Sequence, residues 1–258
     1  MKIIVLMKQV ANKDAVLRVS GDGKWIDESN VAQQTNESDG YALEEALRLK
    51  EAKGDGEVVV CTLGTQTAKT VLKDALARGA DRAIHVVADN VNQLSPYQIA
   101  KAIADAIREE NADLVFTGLQ SDDASYGQTG VILAELLGIP HATIVIEVDR
   151  ASLNGSLRVK RELESGWYQW FTYPLPSLLT IQSGISQIRY ASLKGIMAAK
   201  KKEIREVTPT TEGFSSAQKI QKVYLPLKTK QTQILGAGDA KKGAAELVEK
   251  LKTEVRVL

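Results

Sequence analysis

The chain has 258 residues, 33 Lys+Arg against 32 Asp+Glu for a formal net charge of +1, and 44% apolar residues. That length and composition suit one large globular domain or two small ones, with ample core. One cysteine (Cys61) and two histidines (His85, His141) exclude a disulfide framework, a Cys₄ or Cys₂His₂ zinc site and a thiolate-held iron–sulfur cluster, and a near-zero charge argues against a general nucleic-acid binder.

The opening run Ile3–Met7 is too short for a signal sequence or a membrane span and reads as a buried strand closed by Lys8. With no longer apolar stretch and a lone cysteine, a reducing cytoplasm and no membrane insertion are expected. After a polar loop, Leu43, Ala46, Leu47 and Lys50 mark a helix from Asn36–Ser38 to Gly54. Val58–Leu63 is the second strand. Ala68, Val71, Leu72, Ala75 and Leu76 space a second helix that ends at Gly79. Ala83–Val87 is the third strand, and Ser95-Pro96 caps a helix running through Ile99, Ile103 and Ile107. A fourth strand at Leu114–Phe116, a helix over Val131–Leu137 and a fifth strand at Thr143–Val148 follow.

Continuous apolar strands separated by amphipathic helices specify an α/β fold: a doubly wound, mainly parallel sheet with helices on both faces. From about 149 to 183 the pattern becomes an antiparallel meander, with an Asn154-Gly155 turn and strands over Leu157–Leu163, Trp167–Tyr173 and Ser177–Gln182. The expected organisation is an α/β domain over 1–204, including that extension, and a C-terminal arm over 205–258. The arm carries Lys200–Lys202 at its approach, Pro209, Thr210-Thr211 and a helix over Asp239–Leu251. Ile234, Leu235, Leu247, Val248, Leu251, Val255 and Leu258 are too many apolar residues for a solvated tail, so the arm is expected to lie on something else.

The stretch Gly118–Gly130 follows a buried strand and opens a helix. Free N–H groups at a helix start, glycines that admit close approach, and the side chains of Gln128 and Thr129 suit an anion such as a phosphate. A polar connection with an ordinary cap is the alternative. Gly236-Ala237-Gly238-Asp239-Ala240-Lys241-Lys242-Gly243 lacks the glycine spacing and second βα unit of a dinucleotide site and reads as a loop and helix start. No nucleophile–base pair stands out. His85 and His141 read as structural, Cys61 is embedded in a strand, and Glu44-Glu45 and Glu109-Glu110 read as solvated helix faces. Leu193, Ile196 and Met197 beside Lys200–Lys202 suit either a protein-docking surface or a short helix packed on its own domain.

In order and spacing, Val5–Gln9, Leu43–Glu51, Gly79–Ala83, Gly118–Gly130, Val159–Glu164 and Arg189–Leu193 together resemble the β subunit of electron transfer flavoproteins over essentially the whole chain. The resemblance implies an electron-carrier subunit without catalytic residues of its own, paired with a larger α subunit that holds most of one FAD. It also implies a structural AMP in this subunit. By position, the AMP would lie against Leu6, against Asn36, Ser38 and Asp39, and against Leu63 and Gly64. Gly118, Gln120, Asp122, Asp123, Gly127, Gln128 and Thr129 would close around it.

Residues 189–202 correspond to the family's recognition loop. Arg189, Tyr190, Leu193, Ile196 and Met197 would then meet flavin-dependent dehydrogenases such as acyl-CoA dehydrogenases, and the arm would pack on the α subunit. Glu164-Ser165-Gly166 stands where the family has Glu-Gly-Gly, before an unusually aromatic strand. Bifurcating members hold a second FAD in place of AMP, usually with an Ala-Gln-Val-Gly-Pro run; Tyr126-Gly127-Gln128-Thr129-Gly130 here favours AMP. A stand-alone adenine-nucleotide-binding regulator is the other alternative.

Overall fold

In the computed structural model, residues 1–89, 91–151, 153, 155–209, 218–227 and 232–257 are described. They fall into two compact units, Met1–Val223 and Tyr224–Leu258.

In the first unit, β1 (Lys2–Leu6) leads into a short hairpin of β2 (Gln9–Ala11) and β3 (Gln33–Thr35). Then come α1 (Glu37–Lys53), β4 (Glu57–Gly64), α2 (Lys69–Arg78), β5 (Arg82–Val87), α3 (Pro96–Ile107), β6 (Leu114–Gly118) and α4 (Thr129–Leu137). β7 (His141–Asp149), β8 (Ser156–Glu162), β9 (Tyr168–Pro174), β10 (Ser177–Ile181), α5 (Leu193–Ala199) and β11 (Ile204–Val207) complete it. The nine-stranded sheet has the order β11-β5-β4-β1-β6-β10-β7-β8-β9. It is parallel from β11 to β7, while β8 and β9 join antiparallel. This is the expected doubly wound sheet.

Successive side chains on a strand point to opposite faces, so each all-apolar strand feeds two cores. Ile3, Val5, Val58 and Val60 pack with Leu43 and Leu47 of α1 and Leu72 of α2. Ile4, Val59, Cys61 and Val115 pack with Ile103 and Ile107 of α3 and Leu133 of α4. Ser95 and Gln98 form a reciprocal capping box at the start of α3, where Pro96 occupies the first turn. The Ser95-Pro96 signal thus marks the helix start.

Four expectations need correction. First, β10 is not part of the meander: it lies parallel between β6 and β7, with Leu179 opposite both Phe116 and Ala142. All five of its residues are buried, as befits a central parallel strand covered on both faces. Second, Gln9–Ala11 and Gln33–Thr35, read as polar loop, pair with each other. Third, Ile204–Val207 pairs in register with Ala83–Val86, so the 204/205 boundary falls inside a strand. Fourth, Glu44 and Glu45 are buried rather than solvated.

Glu45 takes Arg150 Nη2 at 2.7 Å, and Glu44 takes Arg48 Nε at 2.7 Å and Arg189 Nε at 2.9 Å. Burial opposes the charge on Glu44, yet the hydrogen bonds from Arg189 and Arg48 outweigh it and hold the carboxyl below its usual range. Glu110 is also recruited inward, by Arg82, Arg205 and Lys2. The hydrogen bonds from Arg82 lead in pulling its pKa down to about 2.

His85 is fully buried in β5 with Nε2 at 3.1 Å from the Gly64 carbonyl oxygen, whereas His141 begins β7 at the surface. Asn154, Thr210-Thr211 and Leu258 lie outside the described residues.

In the second unit, Asp239 caps α6 (Ala240–Lys250) by accepting the N–H groups of Lys241 and Lys242. Gly236 packs so closely on Gly243 that an added Cβ would sit 2.6 Å from the Gly243 backbone nitrogen. Its glycines therefore serve a tight turn against a helix, as the misplaced spacing indicated. Ile234, Leu247, Val248, Val255 and Val257 are exposed.

Candidate functional site

The chain winds from β1 through β4 to β5 in one direction, and then crosses back through α3 to place β6 on the other side of β1. At such a switch point the connections leaving adjacent strands diverge and open a crevice at their carboxyl ends. A cleft of about 1090 Å³ occupies that position, lined by Leu6, Leu63 and Gly118 from three strand ends. It sits at the top of the size range of small-molecule sites.

The first turn of α1 knits the crevice together. Asp39 Oδ2 accepts the Lys8 N–H at 2.7 Å and Oδ1 accepts the Gly118 N–H at 2.9 Å. Burial pushes its carboxyl up to about 7, against the opposing pull of those hydrogen bonds and one from Asn36. Asn36 Nδ2 and Ser38 Oγ both donate to the Gln120 carbonyl, at 3.0 and 2.9 Å. Asn36 Oδ1 accepts the Asp122 N–H at 2.9 Å. Asp122 in return accepts the Glu37 N–H at 3.1 Å, capping α1 from outside its own sequence. Asp123 holds Lys8 Nζ at 2.7 Å.

Gly118 is required by this packing: a Cβ there would overlap Ser38 Oγ and Asp39 Oδ1. At the start of α4, Gln128 makes no side-chain cap bond, which leaves the first-turn N–H groups free to meet an acceptor. Gly130 lets that turn settle on the strand ends, since a Cβ would lie 2.8 Å from Thr117 Oγ1.

The expected nucleotide residues therefore divide by role. Leu6, Asn36, Asp39, Leu63, Gly118, Gln120, Gly127, Gln128 and Thr129 line the cleft. Ser38, Asp122 and Asp123 stand behind them and hold the 118–123 loop, while Gly64 receives His85 and packs on Ala68. Sequence reading missed the outer lining: Ser20–Trp25 except Gly23, Val91–Pro96, and Gln218–Ile220. The switch-point rule could have supplied the second of these, because Val91–Pro96 leads out of β5. The other two carry no local signal. Cys61 also lines the cleft, its thiol pushed up to about 12 by burial.

The candidate docking residues gather on one segment. Tyr190, Leu193, Ile196 and Met197 are exposed, Leu193 at 84%. Ser192 caps α5 by accepting the Gly195 N–H at 3.0 Å. Gly195 lies so close to the Ala77 carbonyl that a Cβ would overlap it, so α5 rests on α2 through its smallest residue. Arg189 differs from its neighbours: it turns inward onto Glu44 and Glu51, fixing the segment rather than presenting a charge.

With this geometry in view, the similarity to characterised sequences is specific. Residues 24–212 match the electron transfer flavoprotein domain. The chain is 38% identical to the electron transfer flavoprotein subunit beta of Bradyrhizobium diazoefficiens, covering 100% of both chains. It is 36% identical to that of Methylophilus methylotrophus over 92% of this chain and 93% of the relative. The subunit of the same name from Homo sapiens is 32% identical over 100% of this chain and 99% of its own.

Proposed function

The chain belongs to the electron transfer flavoprotein family, as a β subunit taking part in electron transfer, and from that premise we propose that it is the nucleotide-holding and partner-docking half of a heterodimer. Its larger α subunit holds most of one FAD. That flavin supplies the electron-carrying chemistry; this chain supplies the base on which it is positioned. AMP is the nucleotide assigned to the crevice at the strand ends.

The observation that carries the AMP assignment is the chemistry of the cleft. Leu6 and Leu63 offer an apolar wall to a base. The uncapped first turn of α4 offers N–H groups to a phosphate. Gly118 lets backbone and ligand approach closely. These groups fit an adenine mononucleotide, and the loop behind them is braced by Asn36, Ser38 and Asp122.

Leu193, Ile196 and Met197 form the anchor for flavin-dependent dehydrogenases. An anchored base raises the effective concentration of a tethered flavin beside its electron donor. The unit at Tyr224–Leu258 packs its exposed Leu247, Val248 and Val255 on the α subunit. Among the described residues no helix is long and apolar enough to cross a membrane, and the carrier is assigned to the cytoplasm.

The test is chemical. The subunit is co-purified with its α partner, the complex is denatured, and the released nucleotides are separated by chromatography. One FAD and one AMP per heterodimer are expected; two FAD and no AMP would overturn the AMP assignment in favour of a bifurcating complex.

A further inference from the structure

The outer rim of the cleft is built differently from its floor. Residues 18–27 form a tight hairpin, with a bridge between Val19 and Ile26 and the Ser20 N–H donated to the Trp25 carbonyl at 2.8 Å. Ser20, Lys24 and Trp25 of this hairpin line the cleft, as do Asn92, Gln218 and Ile220. Two sets of contacts hold it in place. At the tip, Lys24 Nζ donates to the Gln221 carbonyl at 2.9 Å and the Ile220 carbonyl at 3.4 Å. There too, the Val223 N–H donates to the Gly23 carbonyl at 2.8 Å. At the base, Glu28 Oε1 accepts both Trp25 Nε1 and Asn92 Nδ2, each at 3.1 Å.

From these contacts we propose that the 18–27 hairpin is a lid over the nucleotide cleft, closed by two clasps: Lys24 onto the 218–223 strap, and Glu28 onto Asn92. The inference rests on the cleft being a nucleotide site. The floor, made of strand ends and the buried side chains of Asn36, Ser38 and Asp39, cannot move without opening the sheet. The lid can, because among the described residues the hydrogen bonds that fasten it are few and mostly exposed, and each such bond contributes little net stability. Segments fastened this way open locally while the core stays folded. A ligand beneath such a lid leaves at the rate at which the lid opens. Lys24 spends its ammonium on backbone carbonyls, and Glu28 spends one oxygen on two donors from different segments. Both side chains therefore serve closure rather than ligand contact.

Release of nucleotide from the intact heterodimer tests this. The complex is loaded with N-methylanthraniloyl-AMP and chased with excess AMP. Lys24→Ala and Glu28→Ala should each speed release about five- to tenfold, the loss of one or two net hydrogen bonds. The double variant should be faster still, with hydrogen exchange raised at the Val223 amide, which the Gly23 carbonyl accepts across the closed lid. Wild-type release from the double variant would overturn the lid. If the complex carries FAD instead of AMP, the AMP assignment falls and the lid is judged by FAD release. If it carries neither, the nucleotide reading falls, and unchanged exchange at the Val223 amide in the double variant would overturn the clasps themselves.

Discussion

The carboxylate of Asp39 accepts the Gly118 N–H at 2.9 Å, joining the first turn of α1 to the last residue of β6. Its other oxygen takes the Lys8 N–H, just beyond β1. One buried side chain thus bridges the two strand ends that frame the crevice, and it sets their separation.

Gly118→Ala tests that closeness. The new Cβ would overlap Ser38 Oγ and Asp39 Oδ1, and neither side chain is free to retreat because both are hydrogen-bonded. Overpacking of this kind costs about 1–3 kcal/mol. A lowered Tm together with reduced nucleotide content in the purified heterodimer is expected; wild-type values of both would refute the close-packing argument.

Asp39 also makes stability depend on pH in a stated direction. Its carboxyl titrates at about 7 in the folded chain, against a reference of 3.8, because burial disfavours the charge. A group raised in this way contributes stability that is complete below about pH 4 and is lost as pH rises through about 7. Asp39→Asn removes the titration, so the variant should show a flatter dependence of Tm on pH between about 4 and 7 than the wild type does. Parallel curves for the two proteins in matched buffers would contradict the assignment.

Arg150→Ala leaves the fully buried Glu45 carboxylate without its cationic partner. Uncompensated buried charge is among the costlier single changes, here about 3 kcal/mol. Replacing both residues, Glu45→Leu with Arg150→Met, should recover most of that loss. Denaturant unfolding of the single and double variants measures the difference, and an equal loss in both would argue against an isolated ion pair.

Leu193→Ala addresses docking alone. The side chain is 84% exposed, so Tm and flavin content should stay at wild-type values. Electron transfer from the partner dehydrogenase, followed by flavin absorbance in rapid mixing, should slow about tenfold if Leu193 is an interface anchor. Unchanged rates would remove it from that role.

The amino-acid sequence by itself determined the alternation of buried strands and amphipathic helices. It marked the start of α3 through Ser95-Pro96 and singled out Gly118–Gly130, several of whose residues line the cleft. These are local quantities: whether a run is continuously apolar or repeats every three to four residues is written within a dozen positions. Tertiary structure decided what depends on distant pairing. It placed β10 between β6 and β7 and added β11 to the edge beside β5. It turned Glu44 and Glu45 inward because Arg189 and Arg150, more than a hundred positions away, reach them. It also brought residues 20–25 and 218–220 to one cleft. A glutamate beside a glutamate reads as a solvated face until its arginines are placed, because burying a charge becomes tolerable only once its partner is there.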